Sequence, residues 1–433
     1  MVSMSNRSGF LRFLFRRTIE LLAVTVSATI GTLPLLVYHF NHLSTVTLPA
    51  NLIVEPLVCF WALPCGFVAI PLLYIYPPLA KTVLLFGTWS LDLATKYIFH
   101  LTTFPMSSLW LPDIGIAKIS LFYVSLFFII LCHSSRTRSF AFTVLAITLF
   151  MIIAPVSGLT DKFRTSTSVS FIDVGQGSSS LLELAGGRTI IIDAGAATTP
   201  GFNCGKRIIA PYLWSLGIGR IDDIILTHAD ADHYNGISAL LERFQPDRLW
   251  IPRHQSEKQG YNALLARAQS LGIQILHPKR ETFISENLIT LSRVDNRIND
   301  KSDETSFDQV KTDDNDNSLI ISFKTGDFSV LFPGDITSSK EQKLVREEGD
   351  LRHDILLSPH HGSATSNSPE FLEAVNPQYL VVSAGDNARQ LFPAMATRVS
   401  AEALGITVVT TGQAGTVRVA GNDGGYVITT TSR

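Results

Sequence analysis

The sequence predicts a multi-pass α-helical membrane region followed by a soluble domain of alternating strands and helices, with a metal site at the edge of its sheets. Three observations predict it. Up to about residue 156 the chain of 433 residues is apolar and almost free of charge, whereas the remainder has the charge density of a soluble protein. The run Leu226-Thr227-His228-Ala229-Asp230-Ala231-Asp232-His233-Tyr234-Asn235-Gly236 sets two imidazoles and two carboxylates between a short apolar strand and an amphipathic helix. Two later strands also end in metal-binding residue types, Asp335 after Pro333-Gly334 and His360-His361 after Ser358-Pro359. One such ending is ordinary. Three in order point to the carboxyl edge of a sheet, where open α/β folds place their sites.

Composition bounds the function classes. A net charge of −2 and a pI near 6.6 exclude a uniformly basic nucleic-acid binder. The mean hydropathy of +0.25 comes from one end of the chain, as in a membrane region joined to a soluble domain. The four cysteines, Cys59, Cys65, Cys132 and Cys204, form no CxxC pair and no disulfide framework, so they fix no redox compartment.

In the membrane half, Arg7, Arg12, Arg16 and Arg17 precede an apolar run too long for a signal peptide, and more such runs follow. Spans are expected at about 19–39, 52–76, 83–100, 117–133 and 139–156. Asp92 and Lys96 interrupt the third, which reads either as a span or as an interfacial helix. The N-terminal arginines, Lys81 and the Arg136/Arg138 loop face the cytoplasm by the positive-inside rule, and five crossings put everything after Val156 on the outer side. Pro34, Pro56, Pro64 and Pro71 break the first two spans, as happens where helices pack in protein or line a watery path. For Glu55 two readings stand side by side, an intramembrane functional group and a helix-end residue at the interface.

The soluble half follows a linker at 157–166 and occupies 167–433. Strands are expected at 169–174 and 180–184, joined through Gly175-Gln176-Gly177, and at 189–193, ending in Asp193-Ala194-Gly195. Asp193 is read as holding a ligand loop in preference to ligating directly. A helix at 206–216 leads to the strand 223–226, the metal loop and the helix 237–244. An αβ alternation follows, with a strand at 248–251, a helix at 263–271 and a strand at 274–276. Residues 299–317 are acidic and polar, with the composition of a loop. Strands at 318–323, 328–332 and 355–357 then deliver Asp335 and the histidine pair.

Asp193, the His-x-Asp-x-Asp-His run, Gly334-Asp335 and His360 together resemble the successive motifs of the metallo-β-lactamase fold, over about 167 to 430. More narrowly, Phe171-Ile172-Asp173-Val174-Gly175-Gln176-Gly177, Pro359-His360-His361-Gly362-Ser363 and Ser366-Asn367-Ser368-Pro369 resemble the last domain of ComEC-type DNA-internalisation proteins. The stretch 42–58, with Ser44, Pro49, Ala50, Asn51, Leu52 and Pro56, resembles that family's competence channel. The family's channel has more helices and a small β-barrel region ahead of them, so the resemblance predicts that this chain corresponds to the last part of the channel plus the hydrolase domain. The sequence departs from the family in two places: Ser178 follows Gly177 where an acidic residue is common, and Phe392-Pro393 stands where His-Pro is frequent.

The resemblance implies an αββα sandwich carrying two divalent cations, Mn2+ or Zn2+. His228 and Asp230 would hold one, Asp232, His233 and His360 the other, and Asp335 would bridge them. Most relatives with this fold have histidine where Asp230 stands, and 314–317 offers Asp314, Asn315, Asp316 and Asn317 but no histidine. Oxygen-rich donors shift preference from zinc towards manganese or magnesium. Asp232 would orient the attacking water; His361 either donates a proton or supports the ligands. The expected function is a membrane-anchored phosphodiesterase or nuclease of DNA uptake, on the outer side of the cell membrane. It would degrade the strand that is not imported, with single-stranded DNA, the lipid bilayer and other uptake components as partners. Two alternatives are a channel component whose soluble domain binds DNA with little hydrolysis, and an exported hydrolase of another ester.

Overall fold

The computed structural model describes residues 4–104, 106–153, 164–197, 202–253, 256–279, 281–291, 314–386, 392–422 and 424–431. The chain divides into two compact units, Met1–Pro155 and Val156–Arg433. Most of the expected linker, and the acidic stretch up to residue 313, lie outside the described residues.

The first unit is helical, and its apolar side chains face outward. Phe60 is 76% exposed and Tyr74 91%, which suits lipid as solvent and not water. A smaller interior gathers Leu33, Val37, Leu111, Ile114, Phe122 and Ile152. Among the described residues three runs are long and apolar enough to cross a membrane, Phe15–Phe40, Thr47–Ile75 and Ser135–Ile153. The helix Gly115–Leu131 is apolar but has 17 residues, about 26 Å of rise against a hydrocarbon core of about 30 Å. Pro77–Thr102, the third expected span, has the length but carries Lys81, Asp92 and Lys96, with the last two paired at 2.6 Å. Between Pro56 and Pro64 the second run widens into a π-turn, Val58–Ala62, because proline lacks the N–H that an α-helical ladder needs. Short strands β1 (His42–Ser44) and β2 (Ser108–Trp110) pair antiparallel.

The second unit is a sandwich of two sheets. The first holds β3 (Ser168–Phe171), β4 (Ser179–Glu183), β5 (Thr189–Ala194), β6 (Asp223–Ile225), β7 (Arg248–Trp250) and β8 (Gln274–Leu276), with β16 (Val417–Asn422) and β17 (Gly425–Thr430). The second holds β9 (Phe283–Ser285), β10 (Leu288–Thr290), β11 (Ile321–Lys324), β12 (Ser329–Phe332), β13 (Ile355–Leu357), β14 (Tyr379–Val382) and β15 (Thr407–Thr410). Strand alternation fills both faces. Phe171, Leu182, Ile190 and Ile192 meet Phe323, Val330, Phe332 and Ile355 between the sheets. On the outer face of the second sheet, Leu331, Leu356 and Leu380 pack with Phe371 and Leu372 of the helix Pro369–Val375. Beside the first sheet, the helices Ala210–Ser215 and Ile237–Phe244 bury Leu213, Leu240 and Leu241, and stack Trp214 on Phe244. This is the αββα layering of the metallo-β-lactamase fold.

Topology fixes where chemistry sits. Strands β5 to β8 run parallel in one sheet and β12 to β15 in the other. The ends of β5 and β6, and those of β12, β13 and β14, therefore deliver Asp193, His228, Asp335, His361 and Ser383. Local departures from expectation have local causes. The helix expected from 263 starts at Gln259, because buried Tyr261, Leu264 and Ala268 extend its apolar face backwards. The strand expected from 318 starts at Ile321, because Asn315–Asn317 forms a 3-10 turn just before it.

Candidate metal centre

The metal loop leaves β6 extended and tightens at once. Asp230 has extended backbone, and its carbonyl accepts from the N–H groups of His233 and Tyr234 at 2.9 and 3.0 Å, starting the one-turn helix Ala231–Tyr234. Asp232 and His233 ride on that turn. Gly195 makes room for it: a Cβ there would stand 2.2 Å from the His233 nitrogen, so only glycine lets the β5 end lie backbone to backbone with the loop. Gly334, at φ +64°, turns β12 so that Asp335 follows.

Asp193 orients the imidazoles. Buried and 2% exposed, it accepts from the Thr227 N–H, the Thr227 hydroxyl and His233 Nδ1, each at 2.8 Å. The Thr227 hydroxyl spends its proton on Asp193, so at 3.0 Å it accepts from His228 Nδ1. His361 Nδ1 donates to the Ser383 carbonyl at 2.8 Å. All three rings thus keep their Nε2 lone pairs for the centre. Asp193 thus fixes the orientation of Thr227 and His233.

The donors converge. His361 Nε2 lies 3.3 Å from His233 Nε2, 3.3 Å from Asp232 Oδ2 and 3.6 Å from Asp335 Oδ2, while His233 Nε2 is 3.2 Å from Asp335 Oδ1. Ligands held tetrahedrally at about 2.1 Å from an ion stand roughly 3.4 Å apart. Asp232, His233 and His361 offer donor atoms that all lie within 4.8 Å of one another, and so do His228, His233 and Asp335, so each group could hold a divalent ion. His228 Nε2 lies 3.6 Å from Asp230 Oδ2 and 3.9 Å from Asp335 Oδ2, a looser group of three.

The structure brings His361, and not His360, within reach of the other donors. The two are adjacent, both at positive φ, and their rings diverge to a centroid separation of 6.5 Å. His360 turns outward to Thr365, whose hydroxyl lies 3.3 Å from its Nδ1. His361 Nε2 therefore faces the other donors, 3.3 Å from Asp232 Oδ2 and 3.6 Å from Asp335 Oδ2. The segment 314–317 adds no ligand: Asp314 pairs with Lys258 at 2.9 Å, and Asp316 accepts from the Thr337 N–H and hydroxyl at 3.0 and 2.8 Å.

Charge binds the cluster as tightly as geometry. Burial works against the imidazolium of His233, yet Asp335 and Asp193 hold its proton well above the ordinary range. His361 is raised likewise, against burial, by Asp335 and Asp232. Burial disfavours the Asp335 carboxylate, but His233 and His361 more than offset it and keep the group well below its usual value. Asp232 is lowered, against burial, chiefly by His361. For Asp230 the His228 imidazole leads, burial opposes, and Lys258 adds to a strongly lowered value. Where a divalent cation binds, these protons leave the imidazoles.

Sequence reasoning missed Lys258. Its Nζ contacts Asp230 Oδ1 and Asp314 Oδ2, although 28 positions separate it from Asp230. No local pattern marks it. Thr227 was in view as part of the loop, and its role became visible only with Asp193 beside it.

Both halves of the chain are similar to known proteins. Residues 1–136 match the family model described as competence protein, and residues 172–386 match the metallo-beta-lactamase superfamily. The chain is 28% identical over 428 residues to ComE operon protein 3 of Bacillus subtilis, covering 92% of this chain and 51% of that protein. It is 29% identical over 227 residues to recombination protein 2 of Haemophilus influenzae, covering 51% of this chain and 25% of that one. With competence protein ComA of Neisseria gonorrhoeae it shares 27% over 272 residues, 60% of this chain and 33% of the relative. The chain thus spans about half the length of the first of these relatives and less of the others. The chain carries a competence-protein domain followed by a metallo-beta-lactamase domain, a metal-dependent hydrolase fold, which is consistent with a ComEC-type protein.

Proposed function

We propose that the chain is a membrane-anchored, metal-dependent phosphodiesterase of DNA uptake, cutting the strand that is not imported on the outer side of the membrane. The observation that carries the hydrolytic part is the four-donor group Asp232, His233, His361 and Asp335. Two imidazoles with fixed lone pairs and two carboxylates meet at one sheet edge. Competence relatives and the apolar helices support the uptake part and the membrane.

A divalent cation bound there would supply a Lewis acid that activates water and offsets charge at phosphorus. The residues do the rest. His233 and His361 are almost wholly buried and hold their rings by Asp193 and Ser383. Asp230 and Asp232 keep 29% and 27% of their side chains exposed, so the centre opens on their side. Asp232 accepts a hydrogen bond from water entering there and aims its lone pair inward. Asp335, 7% exposed, keeps negative charge at the floor. The carboxylate of Asp230 where an imidazole is usual, with no histidine in 314–317, favours manganese over zinc in turnover. Of the expected pair of cations, one would sit on Asp232, His233 and His361, and the other would sit by His228 and Asp230 beside the Lys258 ammonium.

The test is cleavage of fluorogenic single-stranded DNA by the detergent-solubilised chain across Mn2+, Mg2+ and Zn2+, with double-stranded DNA and a non-phosphate ester alongside. Turnover on DNA with manganese ahead of zinc is expected. A metal-loaded chain that leaves DNA intact and cleaves the other ester would sink the reading.

A further inference from the structure

Lys258 reaches the centre from the loop ahead of the helix Gln259–Ser270. Its placement is built by several residues. A Cβ at Gly260 would stand 2.6 Å from the Tyr234 hydroxyl, so glycine there lets Tyr234 lie against the backbone beside the lysine. Tyr234 ends the turn that carries Asp232 and His233, and its ring packs 6.0 Å from that of buried Tyr261. The lysine loop and the metal loop are thereby clamped together. The Lys258 ammonium is shared between Asp230, which it contacts directly, and Asp314 at 2.9 Å.

We propose that Lys258 is a resident cation: its ammonium takes the place of one of the family's two metal ions, and the centre binds a single divalent ion on Asp232, His233, His361 and Asp335. This rests on the metal-centre reading above and concerns the count and the role of Lys258. Donor supply points the same way. The second position shares His233 and Asp335 with the first, which leaves His228 Nε2 as the one nitrogen of its own. One oxygen of its other carboxylate is already on the ammonium. Residues 314–317 add nothing, since Asp314 faces the lysine and Asp316 faces Thr337. Charge agrees. One divalent ion plus Lys258 brings three positive charges to the four carboxylates Asp230, Asp232, Asp314 and Asp335, whereas a second ion would bring five. The buried His228 Nε2, which has no hydrogen-bond partner among the described residues, is then an acceptor for water at the centre. A fixed ammonium would also offer positive charge to a phosphate oxygen without any metal to lose.

The experiment strips the detergent-solubilised full chain with chelator, titrates it with Mn2+ alone, and reads bound metal by elemental analysis and paramagnetic resonance. The wild type should take one tight ion per chain, with the hyperfine pattern of an isolated Mn2+. Lys258→Met keeps the stem and removes the charge; it should take two, with the spectrum of a coupled pair. Lys258→Arg keeps a cation and should return to one. A second variant on the Met background, His228→Ala, should also return to one. Two ions in the wild type, or one in Lys258→Met, would overturn the role of Lys258 while leaving the metal centre standing. A wild-type chain that takes no Mn2+ overturns the metal centre itself.

Discussion

Replacing Asp193 by asparagine isolates what this carboxylate does for the metal. Asparagine is chosen because Asp193 sits at φ +56°, a left-handed conformation that asparagine tolerates and alanine does not favour. Its Oδ1 can keep the 2.8 Å bond from the Thr227 N–H. Its amide then faces the Thr227 hydroxyl and His233 Nδ1, where Oδ2 had accepted two protons. The hydroxyl can reverse. The imidazole can do so only by carrying its proton on Nε2, which points at Asp335 Oδ1, 3.2 Å away. That tautomer satisfies every group in the metal-free chain but has no lone pair for an ion. Loss of such an orienting partner costs about 10- to 100-fold in metal affinity, or about 1.4–2.8 kcal/mol. Calorimetric or competitive titration with Mn2+ measures it, beside thermal melts of the chelator-stripped chain to show that the fold persists. A variant that melts like the wild type and binds Mn2+ as tightly would refute the tautomer argument and make Asp193 a purely structural carboxylate.

Metal loading should be lost in His361→Ala and in the double replacement of Asp232 and His233 by alanine, and kept in His360→Ala; elemental analysis of the three chains decides, and loss confined to His360→Ala would restore the sequence expectation. Burial, against a bond to the Leu351 carbonyl at 2.8 Å, pushes the His353 imidazole down to about 4. Between the unfolded value near 6.5 and that folded value the unfolded chain holds a proton the fold excludes, so this stability is present above about pH 6.5 and is lost as pH falls towards 4, by up to about 3 kcal/mol. Melts of wild type and His353→Gln should therefore converge on acidification, and a gap that stays constant with pH counts against it. A reporter active only in the cytoplasm, fused after the last residue, should stay silent if the N-terminal arginines are inside and the crossings are odd in number.

The strand ends were legible in the sequence because each combines two signals that rarely coincide by chance. An apolar β run ends at a glycine or a small residue, and a metal-binding side chain follows. The run from His228 after Thr227 and Gly334-Asp335 read this way, Asp193 shows the reverse order with Gly195 behind it, and the parallel halves of the two sheets bring them to one edge. The helix over Ile237–Phe244 was equally plain, since its buried residues Ile237, Leu240, Leu241 and Phe244 recur at helical spacing. Membrane spans were less determinate. Apolarity specifies a helix in lipid or in a core, and Asp92 and Lys96 weigh against a crossing without saying where Pro77–Thr102 lies instead.

What stayed hidden depends on directions and on distant partners. His360 and His361 have the same chemistry, and one position separates them, so pattern cannot say which ring turns inward. That is decided by the Ser383 carbonyl, which takes the Nδ1 proton of His361 across from β14. Lys258 was harder still, because nothing in Glu257-Lys258-Gln259 distinguishes it from a solvated surface lysine. Its meaning comes from Tyr234 lying over Gly260 and from Asp230 and Asp314 converging on one ammonium. The residue at 230 was read from the sequence as a harder ligand that retunes a two-ion site. On the proposal that Lys258 is a resident cation, the same carboxylate is its counter-ion. It follows that changing Asp230 to histidine alone should leave the ammonium with Asp314 as its one carboxylate partner of the two and weaken the wild-type centre, whereas pairing that change with Lys258→Met should give the second ion a proper seat.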